Sequence, residues 1–367
     1  MQKKIAILTT HRANNFGAML QAYSLVKASR ELGADAEILD WRSPFFEWLY
    51  HKAWRMRRNP VAALKHLLWY VRDESTSRAM FEHFRGALPI SQPITDRSAL
   101  AKIESKYDAF IAGSDQIWNP ANSSINPMDC DRTYLLDFVK SKPKYAYAAS
   151  IGKRGIEPYE LQQEFVRLWN SFDTITMREF LGADYVGNCI GRKIDTVVDP
   201  VLLHDSDFWR KLASPIKCGG KYVLLYNIKG SSALRAMAYM YAKDRGMEVV
   251  DLFIPAQMNS RRGDMIAAGP AEFLTYIDRA DCVFTGSFHA SAFSVIYGKR
   301  LYVQYPKGVE NTNSRIDTLL YWTGIQSTVE QESDGERILF CDCSQKDSKL
   351  LNNEVMRSWN VLSEMVK

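Results

Sequence analysis

The stretch GPAEFLTYIDRADCVFTGSFHASAFSVIYGKRLYVQYP, residues 269–306, reads as helix, strand, helix and strand in turn. Its strands, DCVFTG and RLYVQYP, are short and mostly apolar. Such runs suit a parallel sheet covered by helices on both faces. The alternation extends backwards through KYVLLYNI (221–228), SSALRAMAYMYAKDRG (231–246) and EVVDLFIP (248–255). It also appears in the first half. KKIAILTT, GAMLQAYSLVKASRELG and AEILDW read as strand, helix and strand. Leu20, Tyr23, Leu25, Val26 and Leu32 recur at helical spacing, and Gly33 sits where a left-handed C-terminal residue is wanted. YDAFIAG, KYAYAAS, TITM and KIDTVVD are further strands. EPYELQQEFVRLWNSF is a helix with Pro158 near its first turn, and KLLNNEVMRSWNVLSEMVK is a terminal helix.

Two such alternations in 367 residues predict two doubly wound α/β domains facing a cleft. LHDSDFWRKLASPIKCGG has little periodicity. The expected boundary therefore gives a Rossmann-like domain over 1–205 and a second over 206–367 with the terminal helix, plus a basic helical insertion at about 43–85. Composition is ordinary for a globular protein, at 46% hydrophobic and 24% charged residues, so a largely disordered chain is excluded. No run is long enough to span a membrane, and no signal peptide is read at the N-terminus. The six cysteines include no CxxC pair. This argues against a disulfide scaffold or a zinc site and for a reducing, cytoplasmic setting.

Ligands of doubly wound sheets bind beyond the carboxyl ends of the strands, so chemistry is sought just after them. Four segments qualify. His11 to Gly17 places Asn14, Asn15 and a glycine at a helix start, either to receive an anion on free N–H groups or as a capped polar loop. Gly113 to Asn119 carries Asp115, Gln116 and Trp118, suited to sugar hydroxyls with Trp118 stacking on the ring; the other reading is a turn over a buried tryptophan. Arg178, after TIT, is either an anion fork or one half of a salt bridge. His289 opens a helix after Ser287, which puts a titratable group beside the positive end of a helix dipole.

These motifs also carry a resemblance. TTHRANNFGAMLQAYSL, YDAFIAGSDQIWNP, YAASIG, TMRE, VVDPVLL, AEFLTYIDRADCVFTGSFHASAFSVIYGK and NSRIDTLL, in this order over about residues 4–325, resemble the polysaccharide pyruvyl transferase family. The resemblance implies a fold similar to the GT-B glycosyltransferases. It implies transfer of a pyruvyl group from phosphoenolpyruvate, the donor substrate, onto two hydroxyls of a sugar, leaving a cyclic ketal. The acceptor would be a cell-surface polysaccharide or its lipid-linked precursor. His289 corresponds to the assigned acid and Arg178 to the donor-holding arginine. Gly17, Ser287 and Arg315 are expected on the donor side. Asn14, Asn15, Gln116 and Trp118 are expected on the acceptor side, with Asp115 as base. No metal or further cofactor is required. Some members carry an arginine two residues before the histidine. Here Ser287 stands there, so Arg178, Arg315, His11 or Arg12 would have to supply the charge. Ala290 replaces a frequent glycine. A nucleotide-sugar glycosyltransferase and a non-catalytic glycan-binding module are the competing readings.

Charge adds one more expectation. Arg42 to Arg72 holds seven basic residues and one acidic one, +6, which leaves −1 for the remainder of a chain whose net charge is +5. Trp48, Trp54 and Trp69 lie among these cations. The segment would suit peripheral contact with an anionic inner leaflet, or else a solvated basic face over packed aromatics. The near-neutral remainder argues against nucleic acid as a partner.

Overall fold

The computed structural model describes residues 2–47, 75–152, 155–252, 265–306, 313–333 and 335–367. The basic segment, including Trp48, Trp54 and Trp69, lies outside the described residues beyond Glu47. So does the tail of the expected strand EVVDLFIP beyond Leu252.

Two six-stranded sheets form. The first contains β1 (Lys4–Leu8), β2 (Asp35–Ile38), β3 (Ala109–Asp115), β4 (Lys144–Ala149), β5 (Thr174–Met177) and β6 (Asp195–Thr196), in the spatial order 2-1-3-4-5-6. All its pairings are parallel. The second contains β7 (Tyr222–Tyr226), β8 (Glu248–Asp251), β9 (Cys282–Thr285), β10 (Arg300–Tyr305), β11 (Ser327–Ser333) and β12 (Glu336–Asp342), in the order 11-12-10-9-7-8. Strands 10-9-7-8 are parallel, while β12 and β11 add an antiparallel hairpin at the edge. The strand order reverses direction between β1 and β3 in one sheet and between β7 and β9 in the other. These reversals are the switch points where doubly wound sheets open a crevice.

Among the described residues the helices of seven residues or more are α1 (Phe16–Glu31), α2 (Ser75–Gly86), α3 (Arg97–Ile103), α4 (Tyr159–Trp169), α5 (Phe180–Ile190), α6 (Ser206–Leu212), α7 (Ser232–Asp244), α8 (Pro270–Arg279), α9 (Phe288–Tyr297), α10 (Ser314–Thr323) and α11 (Ser348–Val366), and a short helix, Pro44–Glu47, carries Phe45 and Phe46. The central strands are buried because their residues are mostly apolar; β7, YVLLY, has no exposed position. Helix α1 starts where Asn15 accepts a hydrogen bond from the Ala18 N–H, satisfying one of the free donors of its first turn.

The halves share one core. Phe16, at the start of α1, is stacked between Phe81 of α2 at 5.3 Å and Phe273 of α8 at 4.5 Å. Ser77 of α2 donates to the Ala268 carbonyl. Helix α11 returns from the second sheet to the edge of the first. There Ser358 Oγ accepts from the Val198 N–H at 3.0 Å, Arg357 donates to the Thr196 carbonyl, and Trp359 Nε1 donates to Leu203. The two sheets are thereby held in fixed register across the crevice.

Candidate active site

A cavity of about 310 Å³ lies where the two switch points meet. Each of four strand-to-helix loops contributes to its wall. Thr10, Ala13 and Asn15 follow β1, and Asp115 and Gln116 end β3. Ile228 and Lys229 follow β7, and Gly286, Ser287 and His289 follow β9. Arg315 of α10 and the Phe45–Phe46 pair complete it.

His289 sits in the first turn of α9, whose N-cap is Ser287; the Ser287 hydroxyl accepts from the Ala290 N–H. The imidazole lies against α1 at Gly17. A Cβ on Gly17 would fall 2.1 Å from His289 Nδ1, so only glycine leaves space for the ring. His289 Nε2 is 3.6 Å from the Asp199 carboxylate. The histidine therefore comes from one domain, while its nearest carboxylate and the glycine behind it come from the other.

Asp199 is fully buried. It accepts hydrogen bonds from Arg178 Nη1 at 2.8 Å, from Ser114 Oγ at 3.1 Å and from the Val201 N–H. Arg178 Nη2 donates to Asp115 Oδ1, also at 2.8 Å, and its guanidinium lies 4.8 Å from the centre of the Phe288 ring. One arginine thus yokes Asp115, which faces the cavity, to Asp199, which faces His289. Asp115 itself adopts a left-handed backbone, with φ 73°, at the end of β3. Its second oxygen accepts from Thr10 Oγ1.

Electrostatics follow from this arrangement. Burial by itself would raise both Asp carboxyls. For Asp115, Arg178 and then His289 reverse that and hold it below the usual carboxylate range. For Asp199, His289 and Arg178 do so more strongly. Glu179 goes the other way: burial raises it despite Arg178 at 3.8 Å. On the opposite wall, burial and then Arg178 push Arg315 down to about 10, and burial and then Arg315 lower Lys229. The site is thus polarised. The wall of the second domain carries cations and a helix N-terminus. The wall of the first carries an ionised carboxylate, amides and aromatic rings.

Of the residues expected from the sequence, His289, Ser287, Arg315, Asp115, Gln116 and Asn15 line the cavity. Four others do not, and their roles are corrected. Trp118 is 1% exposed, donates to the Tyr134 carbonyl and packs on Trp169 and Phe172, so it cannot stack on a sugar; Phe45, Phe46 and Phe288 are aromatic residues that line the wall. Asn14 is buried and accepts from Arg85. Arg178 is closed off, its two prongs spent on Asp115 and Asp199 rather than offered to an anion. Gly17 provides room for the His289 imidazole. His11 and Arg12 are likewise engaged elsewhere, with Asp40 and Glu47. Thr10, Asn122, Lys229 and Asp199 belong to the site or its support and were not singled out. Thr10 and Asp199 stand inside the quoted motifs TTHRANNFGAMLQAYSL and VVDPVLL, Asn122 ends the turn Pro120–Asn122 beyond β3, and Lys229 had position after β7 as its signal.

The site-bearing stretch has relatives. Residues 15–303 match the model of a family described as polysaccharide pyruvyl transferase. No curated protein matches the chain. Among solved structures, it is similar to a putative UDP-N-acetylglucosamine 2-epimerase from Listeria monocytogenes, at 11% identity over 82% of this chain and 79% of that one, with a TM-score of 0.44. It is also similar to a UDP-GlcNAc 2-epimerase from Methanocaldococcus jannaschii, at 9% identity over 87% and 92%, TM-score 0.42. A third is the spinosyn rhamnosyltransferase SpnG, at 10% identity over 100% and 96%, TM-score 0.36.

Proposed function

Because the chain belongs to the polysaccharide pyruvyl transferase family, we propose that it moves the pyruvyl group of phosphoenolpyruvate onto two hydroxyls of one sugar, forming a cyclic ketal and releasing phosphate. The observation that carries this reading is the pairing of His289 and Asp115, from opposite domains, on a single polarised cavity. The donor is a small molecule with a carboxylate and a phosphate, and the cationic wall suits it. The acceptor is a sugar, and the wall of Asn15, Gln116, Asn122 and Phe45 suits that. A cell-surface polysaccharide or its lipid-linked precursor is the acceptor class this reading names, with the enzyme working in the cytoplasm or at the inner membrane face.

The steps follow from the groups present. The His289 imidazolium gives a proton to the methylene carbon of phosphoenolpyruvate, leaving an oxocarbenium-like centre at C2. A sugar hydroxyl attacks C2. Its proton becomes strongly acidic as the C–O bond forms, so Asp115, a weak base held ionised by Arg178, is sufficient to accept it. Phosphate then leaves with the C–O bonding pair, restoring the cationic centre, and the second hydroxyl closes the ketal with loss of its own proton. The cationic wall stabilises the negative charge of the departing phosphate.

The test is phosphate release from phosphoenolpyruvate against a panel of galactosides, mannosides and aminosugar lipids, with mass analysis of the acceptor. Acceptor-dependent release with ketal formation supports the reading. Turnover of a nucleotide sugar with no use of phosphoenolpyruvate would replace it with glycosyl transfer. Sugar binding with neither reaction would leave a glycan-binding module.

A further inference from the structure

We infer that Lys229 holds the donor's phosphate, supplying from the β7 loop the charge that Ser287 does not provide. This rests on the reading above and adds a residue to it. Lys229 follows β7 at the second domain's switch point and lines the cavity alongside Gly286, Ser287, His289 and Arg315. Its route there is built. The Lys229 stem runs over Gly286, where a Cβ would lie 3.3 Å from Lys229 Cγ and 2.8 Å from Gln304 Oε1. A side chain at 286 would therefore press on both.

Among the described residues no carboxylate pairs with Lys229; its resolved electrostatic neighbour is another cation, Arg315. Lysines on protein surfaces ordinarily find solvent or an acid. Lys229 is exposed, so its ammonium meets solvent while it lines the cavity with Arg315, and it is the cation there for which no carboxylate partner is described. A compact ammonium binds phosphate as a point charge. The phosphate is also the leaving group, so the same contact stabilises charge as the P–O–C bond breaks.

The experiment compares wild type with Lys229→Met and Lys229→Arg. The readouts are KM for phosphoenolpyruvate, kcat, inhibition by inorganic phosphate, direct phosphate binding by calorimetry, and the unfolding midpoint. Lys229→Met should raise the donor KM and weaken phosphate binding by the same factor, roughly tenfold or more for a lost charged contact. Lys229→Arg should recover part of both. The unfolding midpoint should stay unchanged, because no partner of Lys229 among the described residues is lost; a structural lysine would lower it. Unchanged phosphate binding in Lys229→Met, or wild type that binds no phosphate, overturns the assignment. The two readings fail separately. If wild type turns over phosphoenolpyruvate and Lys229→Met binds phosphate normally, only the Lys229 assignment falls. If phosphate binding needs Lys229 but phosphoenolpyruvate is not turned over, the assignment stands and the pyruvyl reading falls.

Discussion

His289 is where residue chemistry and residue packing meet. As acid, its loss should cost about 10²–10⁴ in rate. His289→Gln should therefore leave the unfolding midpoint in place while kcat falls by at least a hundredfold; retention of a tenth of the activity would remove it from the acid role. Gly17→Ala tests the same ring from behind. Alanine is the better helix former by about 1 kcal/mol, yet its methyl would overlap the imidazole. We expect kcat to drop by about a hundredfold from misplacement of the ring, with a loss of stability of about 1–3 kcal/mol. A variant with full kcat would show that the ring moves freely. Arg178 is fully enclosed by its carboxylates, and its role follows from them. Arg178→Lys cannot span both Asp115 and Asp199. Leaving a buried charge uncompensated costs about 3–5 kcal/mol, so stability and kcat should fall while the donor KM stays within about twofold. A large rise in KM at unchanged stability would restore the open-fork role. The sequence left Arg178 as either a fork or half of a salt bridge, and nothing local named its partners. Its partners lie 21 and 63 residues away in the chain, and only the strand order brings them together. Trp118 failed for a related reason: a strand-end tryptophan can face the crevice or the core, and exposure is not written in a neighbouring residue.

At the scale of elements, the strands of both parallel sheets were legible because burial on two faces demands unbroken apolar runs. The site loops were legible because they follow those runs. The β11–β12 hairpin was not. Strand β11, STVEQES, lies at an edge with nearly every residue exposed, so neither an apolar run nor a period-two alternation betrays it. The connection between sheets carries its own pH dependence. His204, just after the turn Pro200–Leu203, is packed against Phe208 at 3.8 Å between ring centres, with Trp209 and Trp359 nearby, and shares a hydrogen bond with Ser24. Burial and then Lys27 bring it from an ordinary 6.5 down to about 4. Glu31, 3.4 Å away, is 41% exposed and solvent-screened, so burial prevails. The folded pKa is depressed, so the unfolded chain binds the proton first as pH falls. The stability this neutral histidine contributes is complete above pH 6.5 and is lost between 6.5 and about 4, on the order of 3 kcal/mol in all. His204→Gln should flatten that part of the stability–pH curve; an unaltered slope would clear the histidine.

The whole molecule is a site assembled between domains, with acid on one side and carboxylates on the other, so anything that loosens the interface should cost activity before it costs secondary structure. Helix α11 is one brace. Leu362, Met365 and Val366 are buried and Ser358 satisfies the Val198 N–H at the edge of the first sheet. Deleting residues 348–367 should lower the unfolding midpoint sharply and abolish turnover; an active, stable deletion would show the brace to be dispensable. This brace also sets an order of events during synthesis. Ser358 is made 160 residues after the backbone it satisfies. At about 5–20 residues per second on the ribosome, the edge of the first domain waits roughly ten to thirty seconds for its cover. Through that interval a nascent chain carries an unfinished flank, so the first domain's edge is completed only when the last helix has been made.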